Sequence, residues 1–462
     1  MKVKEIYIKD FRQFKKFKLD LTYPKGHYKE GQPLDKVCFI GQSGTGKTSL
    51  LNLIFAANRP SCISANINTT DIVYNVLVKT TTNEIPEHDF TIFFRNKIAD
   101  GNKGTEIIIT SQAKPSQKKI EDDLDIYKEV SSLEKIRESV SNKKFENITN
   151  RKILFFPSEL NYSAKKETSN TFKGDKKTYD FSQDNIFDIW NLLLEDITKH
   201  QEEELKIRQQ ISVVAETGNI KAIQEEVKKL EEWKTQNFNP VKDVADNCID
   251  KLIAHFSLRV KQDLDIQQKD DIGFIKIEDL NGNEVPNAFW STGTKQVVLS
   301  ALPLYLLKPE SSIIFFDEPE RSLYPDLQRI IIDYYQGLTT DSQFFYATHS
   351  PIIASSFEPW EIVELKFNDS GHVYRELYFE GENHIDNYYI DPRFLNFDLM
   401  LKEVFDMKYT NGDMRYEALS KYGMLKNQLD TLKKEDKLQT PEAKNIYKEF
   451  KSLSKKLAVN PE

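Results

Sequence analysis

The first twenty residues alternate in period two. Val3, Ile6 and Ile8, then Phe14, Phe17 and Leu19, stand against charged neighbours, which predicts two antiparallel strands with one polar face. "KVCFIG" (Lys36 to Gly41) is instead a continuous apolar run, the pattern of a strand buried on both faces. A helix is expected directly after it in "KTSLLNLIFAAN", where Leu50, Leu51, Leu53, Ile54 and Ala57 form a broad apolar face. Further strands are predicted at Ile72 to Val78, Phe90 to Phe94, Glu106 to Thr110 and Ile153 to Phe156.

The texture then changes. Ala164 to Ser182 is rich in Lys, Ser, Thr and Gly and reads as a loop. Ile186, Ile189, Trp190, Leu193 and Ile197 recur at three- and four-residue steps, as do Ile220, Ile223, Val227, Leu230 and Trp233. With Thr217-Gly218-Asn219 as a break, the two helices form a short hairpin, whose ordinary role is to pack on itself. Strands return at Gly273 to Ile277, Ser312 to Phe316 and Gln343 to Ala347, and the chain from about Phe394 is charged and helical, with Leu419, Tyr422, Leu425, Leu429 and Leu432 on one face. No internal repeat is visible.

A length of 462 residues implies one large domain carrying insertions, or two to three domains. Lysine plus arginine (64) against aspartate plus glutamate (72) gives a net charge of −8, so the chain as a whole is not a polycation seeking nucleic acid. Contact with DNA or RNA is left open by the basic loop Lys165, Lys166, Lys173, Lys176 and Lys177, although such runs are usually just solvated. Cys38, Cys62 and Cys248 have no metal-ligand spacing, and with a charged start in place of a secretory leader they suggest a reducing, cytoplasmic setting. The longest apolar run, Val297 to Leu307, is too short to span a bilayer, so no membrane partner is expected.

"GQSGTGKT" (Gly41 to Thr48) matches G-x-x-x-x-G-K-[ST] and sits between a buried strand and a helix, where a phosphate loop must sit. Gly41 and Gly46 permit the tight turn, and Gly44 lies between them in the nucleotide-binding set. Gln42, Ser43, Thr45 and Ser49 complete the nucleotide-binding set, Lys47 reaches the outer phosphates, and Thr48 is a ligand for Mg²⁺. "SSIIFFDEPE" brings Asp317 to a strand's end as the second magnesium ligand, with Glu318 placed as the base for water. "QFFYATHSP" repeats the pattern and ends at His349, a candidate sensor of the γ-phosphate. "FWSTGTKQVV" reads two ways: a helix cap with Ser291 or Thr292 capping and Gly293 turning, or half of an ATP site completed by another molecule.

These four elements, in this order, resemble the ABC-type ATPase heads. The resemblance implies an α/β fold, a mixed sheet flanked by helices, with a helical hairpin insertion and a helical C-terminal extension. It also implies ATP and Mg²⁺ as cofactors, with Ser291, Thr292 and Gly293 acting in trans on the nucleotide of another subunit, Glu318 polarising the attacking water and His349 acting as the switch histidine. "DEPERSLYP" is similar to the "DEPE-x-x-L-H-P" run of ATPases related to OLD nucleases and RecF, with Tyr324 in place of the histidine. "IKDFRQF" resembles the opening strand of RecF and SMC heads, which makes Arg12 a further candidate near the nucleotide. "ILFFPSELNY" lies near the Q-loop position and offers no glutamine, so that role is unassigned.

The expected division is 1–182 and 263–393 for the two parts of the head, 183–262 for the insertion and 394–462 for the extension. Within the group, the chain most resembles ATPase subunits of two-component bacterial antiphage systems such as Septu and PARIS. That implies a slow regulatory ATPase, a homo-oligomer ranging from a dimer of heads to a hexamer, an effector nuclease or toxin as partner, and a phage-encoded trigger. The rivals are a RecF- or Rad50-like DNA-repair ATPase and a single-chain OLD-type nuclease. "LYFEGENHID" (Leu377 to Asp386) resembles the start of a Toprim metal site, but no D-x-D pair follows it.

Overall fold

The computed structural model describes residues 2–58, 76–81, 88–99, 102–113, 152–160, 177–182, 186–262, 275–377, 388, 390–408 and 412–459. The chain divides into two compact units, Met1–Phe394 and Leu395–Glu462.

Among the described residues the first unit is built on a twelve-stranded sheet whose strands, numbered along the chain and given with their ranges below, run in the order β6-β5-β4-β1-β2-β15-β14-β3-β13-β12-β7-β8. β1 (Lys2–Phe11) and β2 (Phe14–Asp20) form the expected antiparallel pair. β4 (Val76–Thr81), β5 (His88–Ala99) and β6 (Asn102–Ala113) continue that antiparallel half. The other half is mainly parallel: β3 (Lys36–Gly41), β13 (Gln343–Ala347), β12 (Ile313–Asp317), β7 (Ile153–Phe156) and β8 (Thr178–Asp180) run side by side. β14 (Ile362–Phe367) pairs parallel with β3 and antiparallel with β15 (Val373–Arg375), which joins the two halves.

Both faces of the parallel half are covered, as continuous apolar strands require. On one face lies α1 (Lys47–Asn58), whose Leu50, Leu51, Leu53 and Ile54 are buried and whose Phe55 meets Phe155 and Phe315 at ring-centroid distances of 5.0 and 5.7 Å. Phe316 points the other way and stacks on Tyr335 at 4.5 Å, fixing the helix Pro325–Gly337 to the opposite face. Gln343 is fully buried at the other end of β13; its amide donates to the carbonyls of Val3 and Leu34, at 3.0 and 2.8 Å, and its oxygen accepts from Val3 N–H at 2.7 Å.

The hairpin is α2 (Ile186–Glu216) and α3 (Ile220–Gln236), broken at Thr217-Gly218-Asn219 as the sequence predicts. Ile186, Ile189, Trp190, Leu193 and Ile197 are buried at its base, whereas α3 buries no residue. Two expectations need correction. Residues 178–180, expected in a loop, form β8; only Tyr179 of the three is buried, too short a signal to read. Of the strand predicted at Gly273 to Ile277, residues 273 and 274 lie outside the described residues, 275 and 276 are not in a strand, and Ile277 opens β10 (Ile277–Asp279), which belongs to a separate three-stranded sheet with β9 (Leu258–Val260) and β11 (Glu284–Val285). β14 and β15 have no counterpart among the predicted strands, because Glu364 interrupts the apolar pattern of "IVELKF" although it is itself buried. The lysines at 165, 166, 173 and 176, Cys62, and most of 377–386 lie outside the described residues.

The second unit contains Phe397–Glu403 and a helical pair, Asp413–Lys434 and Pro441–Leu457. Tyr422 stacks on Phe450 at 4.5 Å, and Leu425, Phe450 and Leu457 are buried. Among the described residues no helix is long and apolar enough to cross a membrane.

Candidate nucleotide-binding site

The register of the parallel strands brings the chemistry to one edge. Asp317, the last residue of β12, pairs with Ala347, the last of β13, which in turn pairs with Phe39 two residues before Gly41. His349 therefore leaves a strand that lies between the phosphate-loop strand and the acidic strand.

The loop 41–46 has the shape its glycines allow. Gly41, Gly44 and Gly46 have φ of +143°, +87° and +88°, and a Cβ at Gly41 would stand 2.3 Å from the carbonyl oxygen of Leu365. Thr45 closes the turn by donating from its hydroxyl to Gln42 O at 2.8 Å, and Gln13 holds it from outside, Nε2 donating to Gly44 O at 3.2 Å. Gln42, Ser43 and Gly44 are exposed. Arg12, in the turn between β1 and β2 with φ +51°, donates to Ser49 Oγ at 3.1 Å, so the opening hairpin is seated on the start of α1.

Lys47 is buried and its ammonium donates to the carbonyls of Gly41 and Gln42, at 2.9 and 3.2 Å. Burial pushes it down to about 8, against the pull of Asp317, Glu318 and Glu320. Thr48 donates its hydroxyl to the Asp317 carboxylate, 3.0 Å from each oxygen. Burial pushes Asp317 up to about 6; the Thr48 bond and Lys47 oppose this and the charge of Glu318 adds to it. Glu318 adopts a left-handed φ of +48°, held by its N–H donating to Ala347 O at 2.8 Å. Such backbone in a non-glycine residue costs about 1 kcal/mol and is typical of functional turns. His349 is exposed, and burial of part of its ring, then the Lys47 charge, lower it from its ordinary value despite Glu318, leaving a neutral imidazole at pH 7.

Sequence reading did not single out Glu320 or Gln13. Glu320 accepts from Thr348 Oγ1 at 2.6 Å and from His349 N–H at 3.1 Å. A third acidic residue close behind Asp317-Glu318 is the signal that could have found it; nothing local marks Gln13.

Ser291, Thr292 and Gly293 open α4 (Thr292–Leu307). Ser291 is its N-cap, accepting from Thr294 N–H at 3.0 Å, and both Ser291 and Thr292 are exposed. Gly293 is buried; a Cβ there would stand 2.6 Å from Ser322 O. Both hydrogen bonds of the Ser291 hydroxyl go to Thr294, within the helix's own first turn.

Oxygen donors of Thr48 and Asp317 beside a phosphate loop suit Mg²⁺, which takes few protein ligands and leaves the rest of its shell to phosphate and water. Among the described residues no cluster of three or more His, Cys, Asp or Glu suggests any other metal centre.

No curated protein matches the chain. Among solved structures it is similar to an SMC head bound to the C-winged helix domain of ScpA, at 12% identity and TM-score 0.45, covering 81% of this chain and 97% of that one. It is also similar to the SMC head domain from Thermotoga maritima, at 11% identity and TM-score 0.38, with 81% and 98% covered. A third is the Smc head with an extended coiled coil from Pyrococcus furiosus, at 12% identity and TM-score 0.41, with 81% and 96% covered. The family model described as "AAA ATPase domain" matches residues 1–354, and it is in that span that the candidate site residues lie; the chain belongs to the AAA ATPase domain family.

Proposed function

We propose that this chain is an ATP-hydrolysing subunit of the ABC type that closes on a second copy across shared ATP sites, and that the assembly restrains a partner nuclease or toxin effector in bacterial antiphage defence until a phage-encoded trigger acts. The observation that carries the ATPase reading is the meeting of Lys47, Thr48, Asp317, Glu318 and His349 at one sheet edge. The shared-site reading is supported by exposed Ser291 and Thr292 at the start of a 16-residue helix, whose first turn favours anionic phosphate. The effector reading rests on the resemblance of the arrangement, a head with a short helical hairpin and a helical extension, to the ATPases of two-component systems, while "DEPERSLYP" is similar to ATPases related to OLD nucleases and RecF.

In this reading the backbone N–H groups of 43–47 surround the phosphates and Lys47 exchanges its carbonyl partners for the outer ones. Magnesium, held by Thr48 and Asp317, would neutralise charge between the outer phosphates. Glu318 orients the water and takes its proton as oxygen bonds to the γ-phosphorus and the bond to ADP breaks. The His349 ring donates a hydrogen bond to a γ-phosphate oxygen, and the partner copy's helix start covers the other side. The proposed division is 1–182 and 263–393 for the two parts of the head, 183–262 for the insertion and 394–462 for the extension.

Lys47→Ala is expected to abolish ATP binding in calorimetry, whereas Glu318→Gln binds ATP and forms dimers or larger species in light scattering. Ser291→Arg in the Glu318→Gln background keeps nucleotide affinity and stays monomeric. A Glu318→Gln protein that remains monomeric at saturating ATP ends the shared-site reading. Magnesium-dependent DNA cleavage by the pure chain would replace the effector reading with the nuclease one.

A further inference from the structure

A closed ring of hydrogen bonds runs behind the site. Glu320 Oε1 accepts from Thr348 Oγ1 and from His349 N–H, at 2.6 and 3.1 Å. Thr348 Oγ1 in turn accepts from Ser350 N–H at 2.9 Å, and Ser350 Oγ donates to Gln328 Oε1 at 2.7 Å. Gln328 Nε2 donates to Leu323 O at 2.8 Å, and Leu323 N–H returns to Glu320 O at 2.9 Å. The ring thus joins the ends of β12 and β13 to the helix Pro325–Gly337, which we label α5. Its 322–323 corner is the backbone against which Gly293 packs, with Ser322 O 2.6 Å and Leu323 Cδ2 3.6 Å from where a Cβ would be.

We propose that Glu320 is a positioning residue: it fixes the backbone of His349 and, through Gln328 and the 322–323 corner, ties that position to the seating of the helix start at Ser291–Gly293. The inference rests on the ATPase reading for its consequence in hydrolysis, but the tie itself is a property of the ligand-free chain. Its logic is geometric. Burying a carboxylate is costly unless it is hydrogen-bonded, and here one oxygen takes both bonds while Oε2 is buried with no hydrogen-bond partner among the described residues. A glutamate kept for its charge would use both oxygens. One kept as a fixed acceptor needs only Oε1, and a glutamine carbonyl supplies the same acceptor. Burial also raises this carboxyl above its ordinary value. A displacement of α4 on docking of a second copy would push on Ser322 and so reach His349 without passing through the phosphate loop.

The test compares Glu320→Gln, Glu320→Ala, Gln328→Ala and Gly293→Ala by ATP hydrolysis and by the imidazole signal of His349 in histidine-labelled, ligand-free protein, assigned with His349→Ala. Glu320→Ala and Gln328→Ala are expected to move the His349 signal and to lower kcat about tenfold with nucleotide affinity within about threefold, while Glu320→Gln restores both. Gly293→Ala, checked for folding by circular dichroism, is expected to move the same signal from the far side of the ring. A Glu320→Gln protein as impaired as Glu320→Ala would assign Glu320 a charged role and overturn the proposal, as would a His349 signal indifferent to both Gln328→Ala and Gly293→Ala. If the wild type neither binds nor hydrolyses ATP, the proposed function falls while the ligand-free signals still decide on the ring.

Discussion

At the scale of single residues, the phosphate loop separates two demands that its glycines meet. Gly44 has a left-handed φ of +87° and open space around it, so Gly44→Ala is expected to cost only the backbone strain, about 1 to 2 kcal/mol. Gly41 also lies in the positive-φ region, and its Cβ would meet the Leu365 carbonyl of β14 at 2.3 Å, an atom fixed by the sheet. Gly41→Ala must move β3 from β14 and is expected to cost at least about 3 kcal/mol, or to prevent folding. Urea unfolding of the two variants decides this, and equal losses would show that strain alone governs the loop. Gly41, Lys47, Thr48 and Asp317 were legible because their chemistry is written in short contiguous runs. Glu320 and Gln13 were not, because each acts on a backbone group about thirty residues away, Glu320 on His349 and Gln13 on Gly44, a relation that only the fold creates.

At the scale of elements, the strand β14 and the turn before it show how polar residues can be built into a core and leave no strand pattern in the sequence. The entry to β14 is the short helical turn Pro359–Glu361, a capping box in which Glu361 accepts from Glu358 N–H at 2.8 Å. Glu361 is 3% exposed and has Lys36 Nζ at 3.7 Å; burial nevertheless pushes its carboxyl from the ordinary 4.5 up to about 7, Lys36 opposing. Between those two pH values the folded chain holds a proton that the unfolded chain has released. The contribution of this group to stability is therefore greatest below pH 4.5 and is lost as pH rises towards 7, about 3 kcal/mol at the upper limit. Glu361→Gln keeps an acceptor for Glu358 N–H and has no charge to bury. Its stability relative to wild type is expected to improve by up to that amount between pH 4 and pH 8 in urea unfolding; a difference that does not change with pH would refute the assignment. The same kind of element explains "FWSTGTKQVV": the cap by Ser291 and the close approach of Gly293 to Ser322 are local needs, and both are compatible with a phosphate on the exposed side.

At the scale of the whole molecule, the helical hairpin was visible in the change of period from two to three-and-four, but the depth to which it is anchored was not. α2 runs for 31 residues, and its buried positions stop at Ile197; beyond it Leu205, Val213 and Ile220 are exposed, and α3 has no buried residue. Contact between the two helices near their base includes His200 against Trp233, ring centroids 4.8 Å apart, and Lys234 on Glu204 at 3.3 Å. Exposed ion pairs of this kind are worth little. The distal part therefore adds little to the stability of the first unit, whereas Trp190, 1% exposed, belongs to its core. Replacing residues 206–230 by a short Gly-Ser turn is expected to leave the thermal midpoint within a few degrees of wild type, and Trp190→Ala to lower stability by about 3 to 5 kcal/mol. If the shortened protein also keeps ATP hydrolysis while losing co-purification with the product of a neighbouring reading frame, the insertion serves a partner. Loss of hydrolysis with an unchanged midpoint would place its role in closure of the heads.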